Sequence, residues 1–205
     1  MVIGKVVNSV FGSCSYLVDD GGDGVWLVDC GDVGPVVELL LGRKVRGVLL
    51  THAHFDHIYG LNELCELYPK VLVYTNADGR EALLDAKLNL SKYHEAPFVF
   101  SRPENIRLVD DGDCIHLYDS NSTDSRIDSA SGAGLAAEVY ATSGHNPSCL
   151  TYVVGNDVFT GDAYIPGVKV VTNIPGSDKL AAARSLKLIQ ALSVGKTIRP
   201  GHYIE

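Results

Sequence analysis

The sequence predicts an α/β protein built from two β-sheets packed face to face, with helices outside them. Three observations carry this expectation. Strand-like runs are followed by helices, and then a second such series follows; layers of this kind must bury their apolar faces against one another. The chain has 205 residues, of which 46% are hydrophobic and 20% charged. That is enough apolar material for a sizeable core and too little charge for a disordered chain. Finally, a cluster of histidines sits just after an apolar strand, where open α/β sheets place their sites.

Taken in order, residues 1–10 and Ser15 to Val18 read as strands separated by Phe11-Gly12-Ser13. Asp19 to Gly24 has the composition of a hairpin turn, and Val25 to Val28 returns from it. Val36 to Leu41 reads as a short helix stopped by Gly42. Val45 to Leu50 is a buried strand by its apolar run, and His57 to Tyr68 an amphipathic helix. Val71 to Tyr74 is strand-like, Arg80 to Leu90 helical, and Leu88 to Phe100 irregular. Cys114 to Tyr118 reads as a strand. The Ser-, Asp- and Gly-rich run from Asp119 to Gly134 reads as an exposed surface insertion. Leu135 to Ala141, Leu150 to Val154 and Asp157 to Thr160 resume the strand pattern, with Gly155-Asn156 as a tight turn. Asp178 to Leu192 is an amphipathic helix with Ser177 or Asp178 as its cap, and Thr197 to Arg199 is a last strand. A single domain over residues 1–205 is expected.

The stretch that organises the chain is Thr51-His52-Ala53-His54-Phe55-Asp56-His57. Neutral imidazoles and carboxylates are ligands for zinc-like divalent cations. Alternate residues of an extended segment point the same way, so His52 and His54 can share one ion. Two further histidines, His145 and His202, each follow a glycine near a strand-like run, and Phe159-Thr160-Gly161 ends in Asp162. Four strand ends thus offer metal-ligating side chains.

Composition narrows the function. A net charge of −8 disfavours a general nucleic-acid binder, which needs basic surface to meet phosphates. No apolar run approaches the roughly 20 residues of a membrane helix. Five cysteines without paired spacing read as free thiols in a reducing compartment. With no secretory signal evident at the start, a cytoplasmic protein is expected, acting on a small molecule and possible as a homo-oligomer.

The string HxHxDH at His52, His54, Asp56 and His57, followed in order by His145, Asp162 and His202, resembles the metallo-β-lactamase-fold hydrolases and, within them, the glyoxalase II-like branch. The resemblance spans about Val6 to His202. It implies a four-layer αββα sandwich with the site along one edge. It also implies two divalent ions, Zn2+ first and Fe or Mn as alternatives. His52, His54 and His145 would hold one ion; Asp56, His57 and His202 would hold the second; Asp162 would bridge. A shared hydroxide of lowered pKa would attack a small thioester or other carboxylic ester. Asp56 is named as the catalytic residue. The alternatives are a mononuclear iron enzyme of the sulfur-dioxygenase type, a lactonase or β-lactamase-type ring-opening hydrolase, and a non-catalytic metal-stabilised domain.

Other residues carry smaller expectations. Asp29 matches the family's acidic position that orients a ligand histidine, or it caps its own loop. Ser148 and Cys149 follow Pro147 where the family often has glycine, which alters the loop near the first ion. Cys149 is expected in the core, His116 in a structural role and His94 at the surface. Ala163 to Pro175 should line the mouth, with Tyr164 and Lys169 able to meet an anionic tail. Recognition of a leaving thiol would fall to that segment, to Lys92-Tyr93 or to a partner subunit.

Overall fold

The computed structural model describes residues 2–117 and 135–203. Strands β1 (Val2–Val7), β2 (Cys14–Asp19) and β3 (Gly24–Val28) form an antiparallel meander. Helix α1 (Val33–Leu40) leads to β4 (Lys44–Leu49). Helices α2 (Phe55–Ile58) and α3 (Leu61–Leu67) precede β5 (Leu72–Thr75), and α4 (Ala77–Leu83) precedes β6 (Ile106–Leu108). β3 through β6 run parallel, completing a six-stranded sheet ordered β1-β2-β3-β4-β5-β6.

The second sheet holds β7 (Cys114–His116), β8 (Ala136–Ala141), β9 (Leu150–Val154), β10 (Asp157–Gly161) and β11 (Thr197–Pro200). Its order is β11-β10-β9-β8-β7. β10 and β11 are parallel, as their connection through helix α5 (Lys179–Leu192) requires; the other pairs are antiparallel. Asp178 caps α5, its Oδ1 accepting from the Leu180 and Ala181 amides at 2.7 and 2.9 Å.

The αββα layering follows from two-faced burial of the strands. On β2 and β3, Leu17, Val25 and Leu27 point outward to Val33, Val36, Ile58, Leu61 and Leu64 of the helices. Their neighbours Tyr16, Val18, Trp26 and Val28 point inward to Val139, Leu150, Tyr152 and Phe159 of the second sheet. The period of two on each strand therefore feeds two cores. Each fully buried Leu or Val contributes about 1.5–3 kcal/mol. Trp26 Nε1 donates across the interface to Leu117 O at 2.8 Å, so the indole keeps its hydrogen bond in the core. A third, smaller cluster of Cys149, Ala163 and Ile189 lies beneath α5.

Several boundaries differ from the sequence reading. β1 stops at Val7, because Phe11 and Gly12 take φ of 54° and 66° and turn the chain. The Asn8 side chain fixes that turn, donating to Ser13 Oγ and Ser15 Oγ and accepting from the Asp32 amide. α1 starts at Val33 rather than Val36, with Pro35 in its first turn, where a missing N–H costs nothing. The expected helix from His57 to Tyr68 is two helices, because the Gly60 amide turns to Cys30 O at 3.1 Å. α4 begins at Ala77, not Arg80, under a cap from Asn76 Oδ1 to the Gly79 amide at 2.8 Å. The run Leu88 to Phe100 is irregular as expected, with buried Asn89 and Ser91 satisfying its backbone. The expectation for Asp119 to Gly134 lies outside the described residues. Among the described residues, no helix is long and apolar enough to cross a membrane. All five cysteines are free.

Candidate metal centre

Four loops from both sheets converge at one edge. β4 feeds residues 50–57, the β8–β9 loop carries His145, β10 leads into Asp162, and β11 leads to His202. Backbone bonds sew them together: the Leu150 amide donates to Thr51 O at 2.7 Å, Gly201 to Gly161 O at 2.9 Å, and Cys14 to Gly201 O at 2.7 Å. Ser13 Oγ donates to Asp56 O at 2.6 Å. The glycines before the two later histidines have a steric reason. A Cβ at Gly144, whose φ is 139°, would lie 2.2 Å from the Ala182 backbone nitrogen. One at Gly201 would lie 2.2 Å from Asp162 Oδ1.

All seven side chains expected from the sequence meet here. His52, His54 and His145 form one group, with His54 Nδ1 3.0 Å from His145 Nε2. Asp56, His57 and His202 form a second, with Asp56 Oδ2 3.5 Å from His57 Nε2 and 3.3 Å from His202 Nε2. Asp162 stands between them. Its Oδ1 is 3.5 Å from His57 Nε2, and its Oδ2 is 3.2 Å from His202 Nε2 and 3.6 Å from His145 Nε2.

Outer hydrogen bonds set which nitrogens face the centre. His57 Nδ1 donates to Asp29 Oδ2 at 2.9 Å, His145 Nδ1 to Val171 O at 3.0 Å, and His202 Nδ1 to Phe11 O at 3.0 Å. Each leaves Nε2 inward and free to ligate. Asp29 fills both roles expected of it. Besides His57, it accepts from the Thr51 amide and hydroxyl, each at 2.7 Å, and so also caps the histidine loop. Its own φ is 59°, a region that Asp tolerates better than most residues.

Two atoms test whether a cation fits. His52 Nε2 and Asp162 Oδ1 are buried and have no hydrogen-bond partner. Such orphans are uncommon in folded proteins. Both point into a set of imidazole and carboxylate donors suited to zinc, iron or manganese, so the residues fit.

The charge pattern supports the same reading. Burial, together with the neighbouring imidazoles, drives His52 well below its ordinary range and His54 to about 3. Burial also opposes charge on His57, but Asp56, Asp162 and Asp29 outweigh it and raise the imidazole. His202 is likewise opposed by burial and raised to about 10 by Asp162 and Asp56. Burial pushes the Asp162 carboxyl up, yet the charge of His57 and the hydrogen bonds from His202 and His57 hold it well below the usual carboxylate range. Burial thus disfavours charge on His52 and His54, whereas His57 and His202 sit among the carboxylates of Asp56 and Asp162.

The remaining residues sort as follows. Lys169 lines a small cavity with His145 and Asp162, beside Ile165, Val168, Val170 and Val171. Tyr164 packs against Cys149, Ala163 and Ile189 and lines a second cavity together with Lys169. Cys149 is core as expected, and burial pushes its thiol up. His116 is exposed on β7 while Ile115 faces inward, so it has no core role. His94 is half-buried at the rim rather than free on the surface, its ring 4.4 Å from Phe55 and 5.7 Å from Phe11. Lys92 and Tyr93 line a separate cavity of about 190 Å³ with Asn146 and Pro147. Thr51, Asn146 and Val171 were not singled out in the sequence. Thr51 and Asn146, flanking His52 and His145, were the available signal; a backbone carbonyl such as that of Val171 has none.

A buried group of five histidines and two aspartates, on loops at one edge of an αββα sandwich, defines a class of metal-site proteins. The chain belongs to the Metallo-beta-lactamase superfamily, whose family model matches residues 9–202. It is similar to a hydroxyacylglutathione hydrolase of Xylella fastidiosa, at 32% identity over 138 residues; the match covers 66% of this chain and 39% of that protein. It is also similar to the probable metallo-hydrolase YqgX of Bacillus subtilis, at 26% identity over 84% of this chain and 75% of the relative. Among solved structures, the fold matches the BLEG-1 B3 metallo-beta-lactamase with a TM-score of 0.78 and 21% identity, over 100% of this chain and 92% of the other. It matches TTHA1623, solved in a di-iron-bound form, with a TM-score of 0.77 and 24% identity, over 98% and 93%.

Proposed function

We propose that the chain is a metal-dependent hydrolase that holds two divalent ions, zinc first among them, and cleaves a small thioester or related carboxylic ester. The observation that carries this reading is the completeness of both ligand groups, with an orphaned Asp162 oxygen between them. His52, His54 and His145 would hold one ion, Asp56, His57 and His202 the other, and Asp162 would serve both. When bound, such a pair supplies a water of near-neutral pKa and positive charge for the carbonyl oxygen.

The protein's own part is placement. Asp29, Val171 O and Phe11 O fix the ring orientations, and Asp56 would hold the reacting water and the second ion in register. Lys169, beside His145 and Asp162, would take an anionic part of the substrate. The similarity to hydroxyacylglutathione hydrolases supports a thioester, and the chain spans only 39% of the curated relative named above. Chemistry supports it too. A thiolate of pKa about 8.5 leaves without prior protonation, whereas an amide nitrogen needs a proton donor.

Two alternatives are distinguishable. The full second group of Asp56, His57 and His202 disfavours a mononuclear iron enzyme, while the di-iron neighbour keeps iron open as the metal. The test is kcat/KM for a small acyl thioester against a β-lactam and a lactone on one metal-loaded sample. A clear preference for the thioester is expected; a clear preference for either ring-opening substrate overturns the substrate assignment.

A further inference from the structure

We infer that Asn146 and Ser148 are positioning residues that lock the first ligand group in register, a role that rests on the metal-dependent reading above. His54 and His145 lie 91 residues apart in sequence, so something must hold their loops at a fixed separation. Val171 O fixes the His145 ring, and the Asp29–Thr51 bonds fix the loop before His52. Neither reaches His54.

The Asn146–Ser148 pair does. Ser148 is fully buried, and its Oγ accepts from the Ala53 amide at 3.0 Å. Ala53 is the residue between the two histidines of the loop. The same hydroxyl donates to Asn146 Oδ1 at 2.6 Å, and the Ser148 amide donates to that oxygen at 2.9 Å. The other end of the Asn146 amide, Nδ2, lies 2.8 Å from His54 Nε2. The relay thus runs from the backbone between His52 and His54, through Ser148 and Asn146, to the outer nitrogen of His54. It leaves His54 Nδ1 facing His145.

Both residues are close to fully buried, so nothing in solvent substitutes for them. A glycine at 148 has no hydroxyl and would leave the Ala53 amide without this acceptor.

The experiment uses the full chain and three variants, S148A, N146A and N146D. Co2+ is the probe, followed by its visible absorption spectrum and by affinity in chelator competition, with circular dichroism as the folding check. S148A and N146A are expected to weaken one of two cobalt positions by about 10–100-fold, as loss of an outer partner of a ligand does, and to leave the other unchanged. The two substitutions act on one relay, so S148A/N146A should be no worse than the poorer single variant. An aspartate keeps the oxygen that Ser148 uses and sets a second acceptor, in place of the amide nitrogen, against His54 Nε2, which suits a His54 whose Nδ1 ligates; N146D should therefore retain both cobalt positions, which a purely structural role would not require. If S148A fails to fold, N146A against N146D carries the comparison. Wild-type loading with unchanged N146A and S148A spectra and affinities overturns this inference alone. Wild-type protein that takes up no cobalt overturns the metal reading and this inference with it.

Discussion

The two halves of the site are built on different physics. The half made by His52, His54 and His145 is braced by neutral dipoles: the Val171 carbonyl, the Thr51 hydroxyl, and the Asn146 and Ser148 side chains. Burial keeps His52 and His54 uncharged there. The half made by Asp56, His57 and His202 is braced by charge, with Asp29 behind His57 and Asp162 in front. A neutral half depends on geometry, because misplaced imidazoles lose a ligand and gain nothing. A charged half depends on balance, because a buried carboxylate left unpaired is costly. Each half should therefore fail in its own way.

The largest effect is expected where the halves meet. D162A removes the carboxylate that stands between the two groups and should lower kcat/KM by at least about 10³-fold, or about 4 kcal/mol at 1.36 kcal/mol per tenfold. Circular dichroism should be unchanged, because the apolar clusters lie elsewhere. Near-normal kinetics in D162A would sever the link between the halves. D56A comes next, with loss of about 10²–10³-fold in activity and a largely intact fold; a lost dichroism signal would mean that the charged half is structural. Chelation should lower Tm, since an ion that binds only the folded state at 1,000 times its Kd adds about 4 kcal/mol. An unchanged Tm after verified metal removal would contradict that coupling.

D29N sharpens the comparison. It keeps the size of the residue but replaces one acceptor oxygen of three bonds. It should weaken metal at the charged half by about 10–100-fold and the neutral half less, through the Thr51 bonds that fix the loop before His52. Equal weakening at both positions would show that the halves are not separately braced. The smallest effect is expected from K169A, a severalfold rise in KM for an anionic substrate with kcat little changed, in keeping with about 1 kcal/mol for an exposed charge contact. A fall in kcat without change in KM would place Lys169 in the chemistry instead.

Much of this was legible in the sequence, and the reasons differ by element. The seven side chains that cluster were readable because one short string carries four of them and the rest follow strand-like runs. The αββα layering was readable because a series of strands followed by a helix occurs twice along the chain, and the family resemblance implied the same sandwich. β6 was missed because three residues at a sheet edge show no periodicity. The break between α2 and α3 was missed because its cause is a bond from Gly60 to Cys30, half the sheet away in sequence. Ser148 was read only as a change in the loop near the first ion, because the bond that gives it a role meets Ala53 across 95 residues. Asp29 was half-read, since its spacing after a strand hinted at the role but only the fold brings it to His57.

The most direct test of the two-halved site is the number of ions it holds. Protein stripped of metal, reconstituted with excess zinc and freed of unbound metal should carry about two ions per chain by elemental analysis. A value of one or less on folded protein would contradict the account, leaving Asp56, His57 and His202 as a charged support rather than a second metal position.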